Sequence, residues 1–382
     1  MRVLVLNAGS SSLKSSVLET GRREPLASVA VGWGSDASRL AGRDESVGRL
    51  IEGLAEAGVE RDSIEAVGHR FVHGGPSFRR PVLLDDALMA ELRPLVDLAP
   101  LHNGVALDTI EAARRALPNV PHACAFDTGY HETLAPEAFT YPLPWAWYEE
   151  EGIRRYGFHG LSVAWAVSRA GELLERPADE LCLVVAHLGS GCSVTAVEGG
   201  RSVATSMGLT PLEGLMMGTR AGSVDPGILL HLLRAGRLSL DEMAEALDHG
   251  SGLLGVSGVS GDVREVEPAA ASGNDRAGLA LRIFARRAAE GIAAAATALP
   301  ALDGLVFSGG IGENAGRLRA AIVGRLATIG VAPISVEDPG MDSVLSGEGA
   351  RVAVLRVAAR EDVVIAESVA QLLEGLQAPG AD

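Results

Sequence analysis

The sequence has little of several features that mark whole classes of protein. Aromatic residues make up only 4% of the chain and charged residues 21%, whereas apolar residues make up 47%. This composition does not suit a disordered chain and is ordinary for a compact α/β enzyme. Net positive charge is also absent, because the formal charge is −16. Since binding to a nucleic-acid backbone requires a basic surface, we expect no nucleic acid as a partner.

Cysteines are few, and long apolar segments are missing. The three cysteines, Cys124, Cys182 and Cys192, show no CxxC spacing, which favours reduced thiols and a cytoplasmic location. The alanine-rich segment 285–299 carries charged side chains near its start and is too polar to span a bilayer. The chain also begins directly with a strand pattern, without the regions of a signal peptide. We therefore expect no membrane as a partner.

The feature around which the chain is organised lies at its beginning. The apolar run 3–6 predicts a buried strand, the segment 7–14 (NAGSSSLK) predicts a polar turn, and residues 15–19 resume a strand pattern. Closely spaced backbone N–H groups, three hydroxyls and one lysine suit a phosphate, although a plain hairpin with a serine-rich tip fits the pattern equally well. The GxxxxGK[ST] pattern of a P-loop is absent.

The second half of the chain repeats this pattern. In segment 183–193 an apolar run leads into HLGSGCS and a further strand, and the offset aligns Gly189 with Gly9 and Ser190 with Ser10. A chain of 382 residues is long for one core and fits two domains. We therefore expect two similar α/β halves, each with one such hairpin, and a phosphate chain held between the two hairpins.

The segment 239–242 (SLDE) predicts a capping box at the start of a helix. Nine motifs follow one another along the chain: NAGSSSLK, HRFVHGG, APLHN, FDTGYH, RRYGFHG, HLGSGCS, TPLEGLMMGTR, SGDVR and VFSGGIGEN, of which APLHN is predicted to lie in a polar loop. On these motifs the chain resembles the acetokinase family, in the superfamily that includes sugar kinases and actin. The resemblance implies an α/β protein with two similar domains of the actin-like, ribonuclease H-like ATPase fold around a central nucleotide cleft. Residues 1–132 would form the first domain, completed by a C-terminal helix at 363–382. Residues 133–362 would form the second and carry the nucleotide pocket.

The resemblance also implies an activity, namely reversible in-line phosphoryl transfer between ATP and acetate that gives acetyl phosphate and ADP. It implies Mg²⁺ as the metal, with Mn²⁺ as a substitute, and a homodimer. Two alternatives stay open: a kinase for propionate or another short carboxylate, and a nucleotide-binding regulator that has lost transfer. One methylene group in an apolar pocket selects by only about 1–3 kcal/mol, so the acyl chain length is open.

The resemblance assigns roles to particular residues. The catalytic candidates are Asn7, Arg70, Asp127, His159 and Arg220. The nucleotide-binding candidates are Ser10, Ser12, Lys14, His187, Gly189, Ser190, Gly191, Asp262, Val263, Arg264, Gly310, Ile311, Gly312 and Asn314. The carboxylate-binding candidates are Arg70, Val72, Leu101, Phe158 and Pro211, and the metal candidates are Asn7 and Glu361, with Asp127 beside them.

The residue types agree with this chemistry on general grounds. A guanidinium group fits a carboxylate or a phosphoryl oxygen pair, and magnesium prefers one or two protein carboxylates together with phosphates and waters. Any single arginine is more commonly a surface ion-pair partner, and any single apolar residue is more commonly part of a core. Four further histidines, His69, His73, His102 and His131, are interpreted as structural.

Overall fold

The structure is a computed structural model that describes residues 1–9, 12–33, 40–337 and 339–377, without the side chains of residues 40, 41, 100 and 101. Two of the predicted site positions, Ser10 and the Leu101 side chain, lie outside the described residues. The chain forms two compact units: unit 1 comprises Met1–Glu132 and Arg360–Asp382, and unit 2 comprises Thr133–Ala359.

The strands are β1 (Arg2–Ala8), β2 (Ser12–Glu19), β3 (Ala27–Gly32), β4 (Ala66–Phe71), β5 (Val82–Leu83), β6 (His122–Phe126), β7 (Cys182–Leu188), β8 (Cys192–Glu198), β9 (Arg201–Thr205), β10 (Gly304–Ser308), β11 (Ser343–Val344) and β12 (Ala353–Arg356). The helices are α1 (Leu40–Glu56), α2 (Asp86–Leu92), α3 (Pro100–Ala116), α4 (Pro136–Phe139), α5 (Trp145–Glu151), α6 (Gly160–Leu173), α7 (Pro226–Arg234), α8 (Leu240–Asp248), α9 (Gly252–Ser257), α10 (Val263–Ala271), α11 (Asp275–Ala296), α12 (Gly309–Asn314), α13 (Gly316–Val323) and α14 (Glu361–Gln377).

Unit 1 contains a six-stranded sheet in the order β3-β2-β1-β4-β6-β5. Strands β1, β2 and β3 form an antiparallel meander, β4 and β6 continue the sheet parallel to β1, and β5 closes it antiparallel to β6. Leu4 and Leu6 of β1 belong to the same core cluster as residues of α1 and α3. Because side chains alternate along a strand, Val3, Val5 and Asn7 point to the other face of the sheet.

Helix α14 packs against β1, β2 and β4. A β-carbon at Gly68 of β4 would lie 2.6 Å from Ile365 Cγ2, so the close approach of α14 requires glycine at this position. Since Arg70 lies two residues beyond Gly68 on the same strand, it points to the same face. The pattern therefore brings Asn7 and Arg70 to the carboxyl end of the parallel strands, close to the first residues of α14.

Unit 2 repeats this topology strand for strand. Its sheet runs in the order β9-β8-β7-β10-β12-β11, and each pair of neighbours has the same relative direction as its counterpart in unit 1. Helix α6 packs on β7 and β10, as α14 packs on β1 and β4. The turn between the paired residues Leu188 and Cys192 is one residue shorter than the turn between Ala8 and Leu13. The repeat predicted from sequence thus extends to the whole sheet.

Two predicted boundaries differ from the structure. The C-terminal helix begins at Glu361 rather than at residue 363, and unit 1 resumes at Arg360, because the first turn of the helix already contacts β1 and β4 side chains. The motif APLHN, predicted as a loop, forms the start of α3. Among the described residues, no helix is both long enough and apolar enough to cross a membrane.

Candidate active site

The first group of candidate residues lies at the carboxyl end of the unit 1 strands. Arg70 Nε donates a hydrogen bond to Asp127 Oδ1 at 2.8 Å, and Arg70 Nη2 donates to the second oxygen of the same carboxylate. Arg70 Nη1 donates to Asn7 Oδ1 at 3.1 Å, and Asn7 Nδ2 donates to Glu361 Oε2 at 3.1 Å. Four residues that are distant in sequence therefore form one hydrogen-bonded cluster, here called the Arg70 cluster.

The charges within this cluster are strongly coupled. Burial alone would lower the pKa of Arg70, but the carboxylates of Asp127 and Glu361 raise it well above its ordinary value. Burial raises the pKa of Asp127 to about 6 against the opposing effect of Arg70, so this carboxylate is still an anion at neutral pH. Glu361 Oε2 lies 3.4 Å from Arg70 Nε. The guanidinium group thus stays cationic and holds two carboxylates at the end of the sheet.

A residue that sequence reasoning missed contacts Gly9, at the start of the first predicted phosphate turn. Trp33 is 6% exposed, and its Nε1–H donates to Gly9 O at 2.8 Å. The guanidinium carbon of Arg43 lies 3.8 Å from the centre of the Trp33 ring. No sequence signal pointed to this anchor, because Trp33 follows a third strand and meets the turn only once the sheet is formed.

Lys14 lies beside this turn and is the only lysine in the chain. It pairs directly with Asn7 across β1 and β2, so both side chains lie on the α14 face of the sheet. The Lys14 side chain is exposed and makes no hydrogen bond or ion pair within the part of the chain that the structure describes. Lys14 therefore lies beside Asn7 of the Arg70 cluster. Ser12, half-buried, begins β2 in the same turn.

The second group of candidate residues lies in unit 2 around the repeated turn. His159 is the N-cap residue of α6 and has φ = 59°, a left-handed conformation that costs a non-glycine residue about 1–3 kcal/mol. Its ring lies 4.4 Å from the ring of His187 between centroids, and its Nδ1 is 2.9 Å from Ser193 Oγ. A β-carbon at Gly191 would lie 3.4 Å from His159 Nε2 and 3.6 Å from Arg220 Nη1. His159 and Arg220 therefore converge on the glycine of the turn.

Several hydrogen bonds and an ion pair hold the loop that carries Arg220 in place. Arg220 Nη1 donates to Pro211 O at 3.0 Å, and Gly218 N donates to Ser190 O of the turn at 3.2 Å. Arg155 forms an ion pair with Glu213 of this loop at 2.7 Å. Partial burial lowers the pKa of Arg220, although Asp248 opposes this effect. The loop thus presents a guanidinium group beside the turn in a defined position.

The predicted adenosine-binding residues lie on two short segments of unit 2. Asp262 is the N-cap of α10, and Arg264, which is exposed, folds back onto it with Nε 3.0 Å from Oδ1 and Nη2 2.6 Å from Oδ2. Val263 is buried. Gly310, Ile311, Gly312 and Asn314 all lie in α12, directly after β10, where Asn314 Nδ2 donates to Gly310 O at 2.9 Å. A β-carbon at Gly189 of the turn would lie 3.8 Å from Gly310 N, so α12 adjoins the phosphate turn.

The predicted carboxylate-binding set is divided between the units. Val72 belongs to unit 1 and is 6% exposed, whereas Phe158 (1% exposed) and the half-buried Pro211 belong to unit 2. The structure therefore brings Phe158 and Pro211 into the unit that carries His159 and Arg220, and it places Val72 in the unit that carries Arg70. Whether these residues contact a carboxylate stays a prediction.

Two of the histidines interpreted as structural make structural contacts. His69 Nε2 lies 3.0 Å from His122 Nδ1, and His122 Nε2 lies 3.0 Å from Leu117 O. Since a carbonyl oxygen only accepts, His122 Nε2 donates, and in the neutral ring His122 Nδ1 then accepts from His69 Nε2. Burial lowers the pKa of both histidines. The buried His73 Nδ1 accepts from Gly75 N at 3.0 Å.

The described residues contain no group of three or more His, Cys, Asp or Glu side chains arranged to hold a metal ion. Magnesium does not need such a group, because it commonly keeps one or two protein carboxylates and completes its shell with phosphate oxygens and water. The Arg70 cluster offers two carboxylates and an amide oxygen, which are hard donors of this kind. The residues present therefore fit Mg²⁺.

The duplicated α/β topology brings arginine, histidine and carboxylate groups to the strand ends, which is the arrangement expected of a phosphotransferase, because such groups position and neutralise phosphoryl oxygens. The family model of the acetokinase family matches residues 2–367. An acetate kinase of Deinococcus radiodurans is 44% identical over 98% of this chain and 99% of its own length. The crystal structure of Porphyromonas gingivalis acetate kinase superposes with a TM-score of 0.88 at 33% identity, covering 97% of this chain and 99% of that one.

The crystal structure of a propionate kinase from Francisella tularensis superposes with a TM-score of 0.85 at 32% identity, covering 96% and 98% of the two chains. The chain belongs to the acetokinase family. The predicted recognition and the predicted α/β fold are thereby confirmed.

Proposed function

We propose that this protein catalyses reversible transfer of the γ-phosphoryl group of ATP to acetate, giving acetyl phosphate and ADP. The observation that carries the proposal is the convergence of His159 and Arg220 on Gly191, since both side chains present hydrogen-bond donors beside a glycine turn. Such donors stabilise the charge of a phosphoryl group in flight. The 44% identity to an acetate kinase over nearly the whole chain supports acetate as the acceptor.

The proposed reaction needs no general base. A carboxylate is already ionised at neutral pH and attacks phosphorus through an oxygen, while the bond to the ADP oxygen breaks. Arg70 would hold the carboxylate and phosphoryl oxygens, and its bond pattern to Asp127 keeps its guanidinium plane fixed. Catalysis would rest on positioning and charge neutralisation, which is the general pattern for phosphoryl transfer.

Asp127 and Glu361, with Asn7, would hold Mg²⁺ or Mn²⁺. The metal would supply charge neutralisation at the phosphate oxygens. Lys14 and Ser12 of the first turn, with His187, Gly189, Ser190 and Gly191 of the second, would bind the nucleotide phosphates. Asp262, Val263, Arg264 and the α12 residues would bind the nucleoside.

A second candidate function is phosphorylation of propionate or another short carboxylate, which the likeness to a propionate kinase structure favours. A hydroxamate assay with ATP, Mg²⁺ and a series of acetate, propionate and butyrate distinguishes the candidates. We expect the highest kcat/KM with acetate. If kcat/KM is highest with propionate, the protein is instead a propionate kinase. If no acid gives a product, the remaining candidate is a nucleotide-binding regulator without transferase activity.

We also propose that two copies of the chain associate through α7. All nine residues of this helix lie outside the core of unit 2. Ile228 and Leu230 are both 51% exposed, and three more leucines of the helix are only half-buried. Exposed aliphatic side chains that gather on one surface commonly mark a protein interface. A second copy of the same chain can cover these side chains, because a two-fold interface uses the same surface on both copies.

A cytoplasmic location is proposed on the state of the cysteines. Cys124, Cys182 and Cys192 are all free thiols, and the first and last are buried. Reduced, buried cysteines are common where the redox environment is reducing.

A further inference from the structure

We propose that Ser193 is a positioning residue for His159, and that its hydroxyl selects the ring tautomer in which Nε2 carries the proton. The proposal rests on the proposed phosphoryl transfer, in which His159 donates a hydrogen bond to the phosphoryl group. It adds a residue to which the sequence motifs assigned no role. Ser193 is 0% exposed, so its hydroxyl acts on the site only through the neighbouring side chain.

The position of Ser193 follows from the register of the repeated hairpin. Ser193 of β8 pairs directly with His187 of β7, and directly opposed residues in an antiparallel pair present their side chains on the same face. The His159 ring lies over this cross-strand pair. Its centroid is 4.4 Å from the His187 centroid, with the two ring planes tilted by 36°, and its Nδ1 is 2.9 Å from Ser193 Oγ. Both members of the pair therefore contact the His159 ring.

The two ring nitrogens have different surroundings. Nδ1 is 2.9 Å from the buried Ser193 hydroxyl, whereas Nε2 lies on the side of Gly191 and Arg220. A neutral imidazole has one N–H and one acceptor nitrogen. If Ser193 donates its proton to Nδ1, the ring proton resides on Nε2 and points to the side where the phosphoryl group would lie. The opposite tautomer would present an acceptor to an anion, which is repulsive.

The backbone of His159 fixes where its side chain begins but not how the imidazole ring is rotated. The residue is held at φ = 59° as the N-cap of α6, and its carbonyl accepts from Val163 N at 2.9 Å. This geometry directs the side chain toward the sheet, but a terminal sp³–sp² torsion such as χ2 of histidine has a broad, two-fold profile. The Ser193 hydroxyl distinguishes the two ring orientations, because only one of them brings Nδ1 to Oγ.

The counterpart pair in unit 1 is Asn7 and Lys14, which also lie opposite each other on the face covered by a helix N-terminus. The same structural position thus holds a cation in one unit and a hydroxyl in the other. A lysine at position 193 would donate to Nδ1 as well, but it would add a charge to a buried site. The serine provides the directional hydrogen bond without that cost.

The test compares Ser193→Ala with Thr195→Val, which removes a buried hydroxyl from the same face of the same strand without contacting His159. We expect Ser193→Ala to lower kcat by about tenfold or more, as loss of a histidine-orienting partner commonly does, with little change in the carboxylate KM. Thr195→Val is expected to keep its kcat, and Ser193→Thr, which retains the hydroxyl, is expected to restore most of it.

Two further measurements separate positioning from a structural effect. In a His159→Ala background, Ser193→Ala is expected to cause no further loss of kcat, because the two residues act as a unit. Nitrogen-15 NMR of the imidazoles is expected to show the His159 ring as the Nε2–H tautomer, with a shift toward Nδ1–H in Ser193→Ala. The same loss in both backgrounds, or an unchanged tautomer, would overturn the proposal. A wild-type protein without transferase activity would instead refute the proposed function, and the NMR comparison would still decide the role of Ser193.

Discussion

Asn7 and Glu361 are joined by a hydrogen bond of 3.1 Å between Nδ2 and Oε2, although 354 residues separate them in the chain. Asn7 lies near the end of the first strand, and Glu361 is the first residue of the last helix. This hydrogen bond joins the first strand of unit 1 to its last helix, next to the hydrogen bond between Arg70 and Asp127. The chain must therefore be folded through its last helix before the Arg70 cluster is complete.

This relationship leads to the first prediction. Glu361→Gln keeps an oxygen that can accept from Asn7 Nδ2 but removes one carboxylate charge from the proposed metal site. We expect the Mg²⁺ activation curve to move to about tenfold higher concentration or more, on the scale of a lost metal-site carboxylate. Glu367→Gln, an exposed position on the same helix, serves as the control. An unchanged Mg²⁺ requirement in Glu361→Gln would show that Glu361 does not bind the metal.

Replacement of Arg220 tests the second group of residues. Arg220→Ala is expected to lower kcat by about 10²-fold or more, because a fixed donor to the phosphoryl group is lost. Arg220→Lys is expected to recover only part of this, since an ammonium group keeps the charge without the planar pair of donors. Arg201→Ala, at the exposed start of β9, should leave turnover unchanged. Normal turnover of Arg220→Ala in the hydroxamate assay would contradict the site assignment.

The single lysine allows a direct test of the proposed nucleotide site. An amine-specific acylating reagent can label only Lys14 and the α-amino group of Met1, which donates to Thr20 Oγ1 at 3.0 Å. We expect ATP with Mg²⁺ to slow labelling of Lys14 and to leave labelling of Met1 unchanged, as measured by peptide mass spectrometry. Equal rates at Lys14 with and without nucleotide would show that its amine does not contact the phosphates.

The buried histidine pair predicts a pH dependence of stability. Burial lowers the pKa of His69 and of His122 below the ordinary value of about 6.5, so the unfolded chain binds more protons than the folded chain in acid. The contribution to stability is therefore complete above about pH 6.5 and declines as the pH falls below it, by up to about 1.4 kcal/mol per pH unit for each histidine.

Urea unfolding at a series of pH values measures this slope. His122→Gln removes one of the two titrating rings, and we expect a shallower decline between about pH 6.5 and pH 5. His249→Gln, which replaces an exposed histidine in unit 2, is the matched control. A decline of the same steepness in His122→Gln and wild type would mean that other groups cause the acid sensitivity.

The exposed helix α7 predicts the effect of a charge on assembly. Ile228→Glu places a carboxylate on the proposed two-fold surface, where symmetry brings it near its own copy, and we expect dissociation to monomers in sedimentation velocity. Leu279→Glu, at a residue of α11 that is 43% exposed, is the control. A wild-type protein that is monomeric at all concentrations would refute the homodimer.

Sequence reasoning succeeded where the signal was local. The strand pairing on either side of the first turn, the repeated hairpin at 187–193 and the capping box at Ser239 are present in the structure, because strand alternation and capping depend on neighbouring residues. The loop predicted for APLHN was wrong, because Pro100 is a favourable first residue of a helix and Asn103 is held by three backbone groups of other segments.

The family, the order of the motifs and the two α/β halves follow from residue patterns along the chain. The side-chain partners Asn7 with Glu361, Trp33 with Gly9 and Ser193 with His159 emerge only when each unit is folded. A periodic pattern specifies the face on which a side chain lies, whereas its partner depends on strand register and on which helix packs there. Those are set by the packing of the whole unit.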